Sequence, residues 1–155
     1  MKLTLILILV IVLTAGAGEA FAQKRPIFRT VTLNDAKTIS LGEEFSEKSD
    51  LFEKFGDQYR LKKGLFGGAE QIRVVLDKDL KINQIYFLYD GSKDFLESKK
   101  SYTKSLGNPS AEEERELTGG GKVRRVSWQD SETRFELVES RENGKVSVRS
   151  ILFDK

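Results

Sequence analysis

Val123–Phe153 reads VRRVSWQDSETRFELVESRENGKVSVRSILF, and three strand-like segments follow one another in it. Val123–Trp128, Glu132–Glu139 and Lys145–Phe153 are rich in β-branched and aromatic residues and alternate apolar with polar positions, the period of a half-buried strand. Asn143-Gly144 separates the last two by the two residues that favour a tight hairpin, because both must adopt positive φ. This run predicts an antiparallel sheet with one face in a core and the other in water. Strand side chains point alternately to opposite faces, so Val126, Trp128, Phe135, Leu137, Val146 and Val148 are expected to point inward. The opposite parity carries Arg125, Arg134 and Arg149 with Ser127, Ser147 and Glu136.

Upstream, Gln71–Leu76 and Gln84–Tyr89 repeat the alternation around a connection at Asp77–Asn83. Ile72, Val74 and Leu76 take the inner parity, and Arg73 and Tyr86 the outer. Two segments have helical spacing instead. In Glu43–Phe55 the aromatics Phe45, Phe52 and Phe55 fall near one face, and Gly56 stands where a helix would end; in Lys93–Leu106, Phe95, Lys99, Tyr102 and Leu106 form a stripe closed by Gly107-Asn108-Pro109. Arg60–Ala69 and the acidic, glycine-rich stretch from Ser110 to Gly121 read as loops. Ile27–Leu33 reads as a strand able to supply a sheet edge, followed by a turn at Asn34-Asp35 and a short extended piece at Thr38–Leu41.

The order of these elements repeats. Leu51-Phe52-Glu53-Lys54-Phe55-Gly56-Asp57 corresponds to Tyr102-Thr103-Lys104-Ser105-Leu106-Gly107-Asn108, each followed by a loop and a hairpin, Gln71–Tyr89 answering Val123–Val138. The expected fold is therefore α+β: an antiparallel sheet of five or six strands with two helices on one face, built from two helix–hairpin repeats at about 39–90 and 92–155. Tandem units of this order, with Phe55-Gly56-Asp57 and Leu106-Gly107-Asn108-Pro109 closing the helices, resemble the superfamily of the secreted β-lactamase inhibitor protein and the small envelope-assembly lipoproteins that share its half-domain. The resemblance implies an exported, non-catalytic, protein-contacting module. The chain contains no cysteine, so it has neither the disulfides of the inhibitor nor the acylated cysteine of the lipoproteins, and no functional residue carries over.

Met1–Ala22 has the organisation of a secretory signal peptide: Lys2, then the apolar run Leu3–Leu13, then small residues ending in Ala20-Phe21-Ala22. Spanning a bilayer takes about 20 consecutive apolar residues, and Gly16 and Glu19 interrupt this one, so cleavage rather than retention is expected. The product, Gln23–Lys155, is expected to be a single periplasmic or secreted domain without stable membrane insertion. Lys2 and Glu19 leave together, so the net charge stays at +2. That balance, spread over interspersed signs, does not suit a nucleic-acid binder.

The chain also has no histidine, which removes His-based hydrolysis, zinc hydrolysis and His-ligated haem from the candidate chemistries. Asp77-Lys78-Asp79 opens like a calcium loop but continues with Lys81 and Ile82 where a ligand and glycine are needed. Gly119-Gly120-Gly121-Lys122 lacks the earlier glycine and the following Ser or Thr of a phosphate-binding loop. The pairs Glu43/Glu44, Glu112–Glu116 and Glu132/Glu136 have no spacing that specifies a glycosidase cleft. No cofactor, metal site or enzymatic activity is expected. The remaining constellation is the outer sheet face, with Arg73, Arg125, Arg134 and Arg149 as anchors and Tyr86 as an aromatic contact. Arginine and tyrosine are enriched at protein interfaces, so the expected partner is a protein or an anionic envelope component. The alternatives are a carboxylate-dependent envelope glycan hydrolase and a structural envelope protein without a discrete ligand.

Overall fold

The computed structural model describes residues 26–33, 35–63, 66–89, 91 and 93–155; the signal-peptide reading of Met1–Ala22 lies outside them. No described helix is long and apolar enough to cross a membrane.

The fold is α+β. An N-terminal ribbon of β1 (Thr30–Thr32) and β2 (Thr38–Ser40) precedes a 3₁₀ helix (Phe45–Leu51) and strands β3 (Phe52–Phe55), β4 (Gln58–Leu61), β5 (Gln71–Leu76) and β6 (Ile82–Tyr89). Helix α1 (Phe95–Leu106) then leads into β7 (Ala111–Glu116), β8 (Lys122–Gln129), β9 (Thr133–Glu142) and β10 (Lys145–Asp154). Strands β3 to β10 form one antiparallel sheet in the order β3-β4-β5-β6-β10-β9-β8-β7. Each half is thus a helical segment followed by a four-stranded meander, and the halves join along β6 and β10.

Cross-strand register fixes the faces. Tyr59, Val74, Ile85, Leu152, Phe135 and Trp128 pair in succession across six strands, so they share one face. Phe45 of the 3₁₀ helix stands 4.4 Å from the Tyr59 ring, and Tyr102 of α1 stands 4.6 and 5.9 Å from Phe135 and Trp128. Both helical segments therefore cover the same face. The β1–β2 ribbon adds Val31 and Ile39 to that core, and the preceding Phe28 packs on Phe66 and Phe135. Trp128 is buried, and its indole N–H donates to the Gly107 carbonyl just past α1 (2.9 Å), tying helix end to sheet.

Several expectations are corrected. The first helical segment is a seven-residue 3₁₀ helix, and Phe52–Phe55 is a strand. Gly56-Asp57 is then the β3–β4 turn, with Gly56 at φ 64°, rather than a helix end. Spacing of phenylalanines alone cannot separate a helix from a short strand, and here pairing of Phe52 with Leu61 and of Phe55 with Gln58 decides it. The acidic run Glu112–Glu116 lies in β7, not a loop. These additions, with β4, raise the sheet from five or six strands to eight and re-align the halves, so that β5–β6 answers β9–β10. The Val31 strand pairs with β2 alone and supplies no edge. Val146 has the inner parity but lies beyond the core and is exposed.

Candidate functional site

The face opposite the helices has no layer over it among the described residues. Its central row runs Arg60, Arg73, Tyr86, Ile151, Glu136, Ser127 and Ala111 from β4 to β7. Beside it run Leu88, Arg149, Val138, Arg125 and Glu113 on one flank, and Gln84, Phe153, Arg134 and Gln129 on the other. All five residues singled out from the sequence, Arg73, Arg125, Arg134, Arg149 and Tyr86, stand on this face. The structure divides them into two clusters.

The first cluster lies toward β5, β6 and β10. Arg73 donates from Nε to the Gln71 side-chain carbonyl (2.6 Å) and from Nη1 to that of Gln58 (3.4 Å), while its guanidinium stacks 4.4 Å over the Phe55 ring. Neutral acceptors and an aromatic face hold this side chain, so its charge is oriented without being neutralised. Arg149 makes no ion pair among the described residues and lies close enough to Tyr86 to act on its phenol. Burial raises the Tyr86 pKa; the Arg149 charge opposes that rise, and Glu136 and Asp57 add to it. The Tyr86 hydroxyl donates to the Gln84 side-chain carbonyl (2.7 Å). On the β4 flank, Arg60 is engaged by Glu53, with Nε–Oε1 at 2.7 Å.

The second cluster centres on Glu136, which sequence reading placed on a wet face. Its side chain is only 8% exposed, and the Nε atoms of Arg125 and Arg134 lie 3.5 and 3.3 Å from its two oxygens. Neither approach is a hydrogen bond, and the buried Nε of Arg125 has no hydrogen-bond partner. Arg125 also reaches toward Glu113 (3.9 Å), and the Arg134 guanidinium stacks 4.3 Å over Phe153. These residues enclose a groove of about 250 Å³ at the β7 end of the face. Ser127 and Ala111 form its floor because the central row has small side chains there. Arginines 125 and 134 are therefore committed to a local carboxylate, unlike Arg73 and Arg149. Strand parity places Glu136 on the arginines' face and so allows it a neighbouring arginine; which arginines it takes depends on register between strands.

Of the acidic pairs, Glu114 binds Lys122 and Arg124 (2.5 and 2.9 Å), and Glu112 binds Lys99 of α1 (2.6 Å). Hydrogen bonds from Lys122 and Arg124 lower the Glu114 pKa against a smaller opposing effect of burial. No group of three or more Asp and Glu among the described residues is arranged to hold a metal. No family model matches the chain, and no curated protein or solved structure is significantly similar to it.

Proposed function

We propose that this chain is an exported, non-catalytic binding module of the cell envelope or medium, which docks a carboxylate-presenting protein on the open face of its sheet. The observation that carries this reading is the pair Arg73 and Arg149, which flank Tyr86 without an acidic partner among the described residues, on a face over which no described element packs. Arginine presents a planar fork matched to carboxylates, and its orientation here by glutamine and phenylalanine lowers the entropy lost on binding.

Composition of the face favours a protein over an anionic polymer or lipid surface. Among the described residues, six of the nine arginines (60, 73, 115, 125, 134 and 149) occupy strand positions of this face, but only Lys145 of the fourteen lysines does so. Enrichment in arginine and aromatics with depletion of lysine characterises protein interfaces. A polyanion would be served equally by lysine. The two-fold recurrence of a helical segment and a four-stranded meander supports kinship with the β-lactamase-inhibitor-protein superfamily, and the A-x-A motif at Ala20–Ala22 supports export.

Immobilised Gln23–Lys155 incubated with native envelope extract tests the reading. Arg73→Glu with Arg149→Glu should abolish capture of a protein that the unmodified chain retains, and Arg73→Lys with Arg149→Lys should weaken it despite equal charge. Capture unaffected by the charge reversal, or binding to anionic phospholipid vesicles that survives the lysine replacements, would defeat the proposal. N-terminal sequencing of exported protein checks cleavage after Ala22.

A further inference from the structure

The groove around Glu136 is independent of Arg73 and Arg149, and its chemistry is different. Its charged residues, Arg125, Arg134, Glu113 and Glu136, sum to zero, so it has no net charge to favour an anion or a cation. It is nevertheless dense in hydrogen-bonding capacity. The Glu136 side chain is only slightly exposed and accepts no hydrogen bond among the described residues, its two guanidinium neighbours being ion pairs at 3.3 and 3.5 Å. Among the described residues, the one fully buried side-chain polar atom without a hydrogen-bond partner is the neighbouring Nε of Arg125, and buried polar atoms normally have their partners. Ser127 and Gln129 add neutral donors and acceptors along the floor and wall.

From this geometry we infer that the groove is a subsite for a neutral hydroxylated ligand, a single sugar ring. A sugar hydroxyl is donor and acceptor at once: it donates to Glu136 and accepts from Arg125 or Arg134 in the same position. Neither a carboxylate nor an ammonium group satisfies both. A carboxylate ligand meets repulsion from Glu136, and an ammonium meets two guanidiniums. The volume of about 250 Å³ lies just under the range for drug-sized ligands, roughly 300–1,000 Å³, which suits one ring rather than an oligosaccharide. The floor is open toward the β7 edge at Ala111, so further rings of a glycan would run off the sheet into solvent.

Titration of the ¹⁵N-labelled protein with methyl glucoside and methyl N-acetylglucosaminide, against sodium acetate and inorganic phosphate, decides the matter. The backbone amides of Ser127, Gln129 and Glu136 should shift saturably with a sugar and not with either anion. Ser127→Phe fills the floor and should abolish the saturable shift while the melting temperature is kept. Ala111→Phe, on the exposed edge strand, should do the same should Ser127→Phe not fold. Saturation by acetate or phosphate, no saturation by any probe, or sugar shifts that survive the blocking variant would each overturn the assignment.

Discussion

The carboxylate of Asp130 closes the β8–β9 turn and holds the N-terminal segment at once. One oxygen accepts the N–H groups of Glu132 and Thr133 (2.9 and 2.8 Å), and the other accepts that of Ile27 (2.7 Å). Burial alone would raise its pKa, but these backbone donors and Lys155 together bring it below the ordinary aspartate value. The unfolded chain then binds the proton more readily. The stabilisation is accordingly full above the unfolded pKa of about 3.9 and is lost as pH falls through the lower folded value. Asp130→Asn has one acceptor oxygen for donors on two sides, so it should destabilise by about 1–3 kcal/mol and flatten the acid limb of stability against pH. Denaturant titrations at neutral and acid pH measure both. Arg29 reinforces the clasp through Asp154 (2.6 Å) and the Thr133 hydroxyl (3.1 Å), contacts between residues more than a hundred positions apart.

At the scale of elements, helix α1 starts at Asp94, whose side chain accepts the Glu97 N–H (2.7 Å). Asp94→Ala removes that cap and should cost about 1 kcal/mol, read as a shift in denaturation midpoint. The β7–β8 hairpin depends on Gly121 for a different reason. A Cβ there would stand 2.9 Å from the Arg141 carbonyl of the neighbouring strand, and backbone cannot step aside as a flexible side chain can. Gly121→Ala should destabilise by about 1–3 kcal/mol and broaden or shift the amide resonances of β7. β7 itself is exposed at every position and carries four glutamates and one arginine. Such charge on an edge strand discourages pairing with other chains. Its ion pairs are solvent-exposed, so Glu114→Gln should leave the midpoint unchanged while raising self-association at high concentration, measurable by light scattering.

For the whole molecule, residues of both halves and of the N-terminal ribbon belong to one hydrophobic cluster, and β6 pairs with β10 over six positions. The two meanders should therefore unfold together despite their separate helical segments. Trp128, the single tryptophan, reports the second half by fluorescence, and its transition should coincide with the loss of far-UV circular dichroism. Separated transitions would mean that the halves melt independently. Charge reversals on the open face touch none of the cluster, so Arg73→Glu with Arg149→Glu should leave that common transition in place.

Alternation alone assigns the residues of β5, β6, β8, β9 and β10 to their faces, because it is a property of the local backbone and holds whatever the strand pairs with. Trp128, Phe135 and Ile72 on one face and Arg73, Arg125, Arg134, Arg149 and Tyr86 on the other follow from it; α1 is legible from its helical spacing, and the Asn143-Gly144 turn from its residue types, both at positive φ. Elements without an apolar period were illegible. After Ala111, β7 shows only glutamate and arginine, and it is a strand because Glu113 and Glu114 pair with Arg125 and Arg124 across the ladder. Phe52–Phe55 follows from pairing with β4, which outweighs a spacing also compatible with a helix. The division of the arginines was decided by tertiary structure alone. Whether a guanidinium is free or spent depends on which side chain lies opposite and diagonal to it on neighbouring strands. That register brings Glu136 to Arg125 and Arg134, but sets Arg60 and Tyr86 opposite Arg73 and brings Gln58 and Phe55 to its guanidinium.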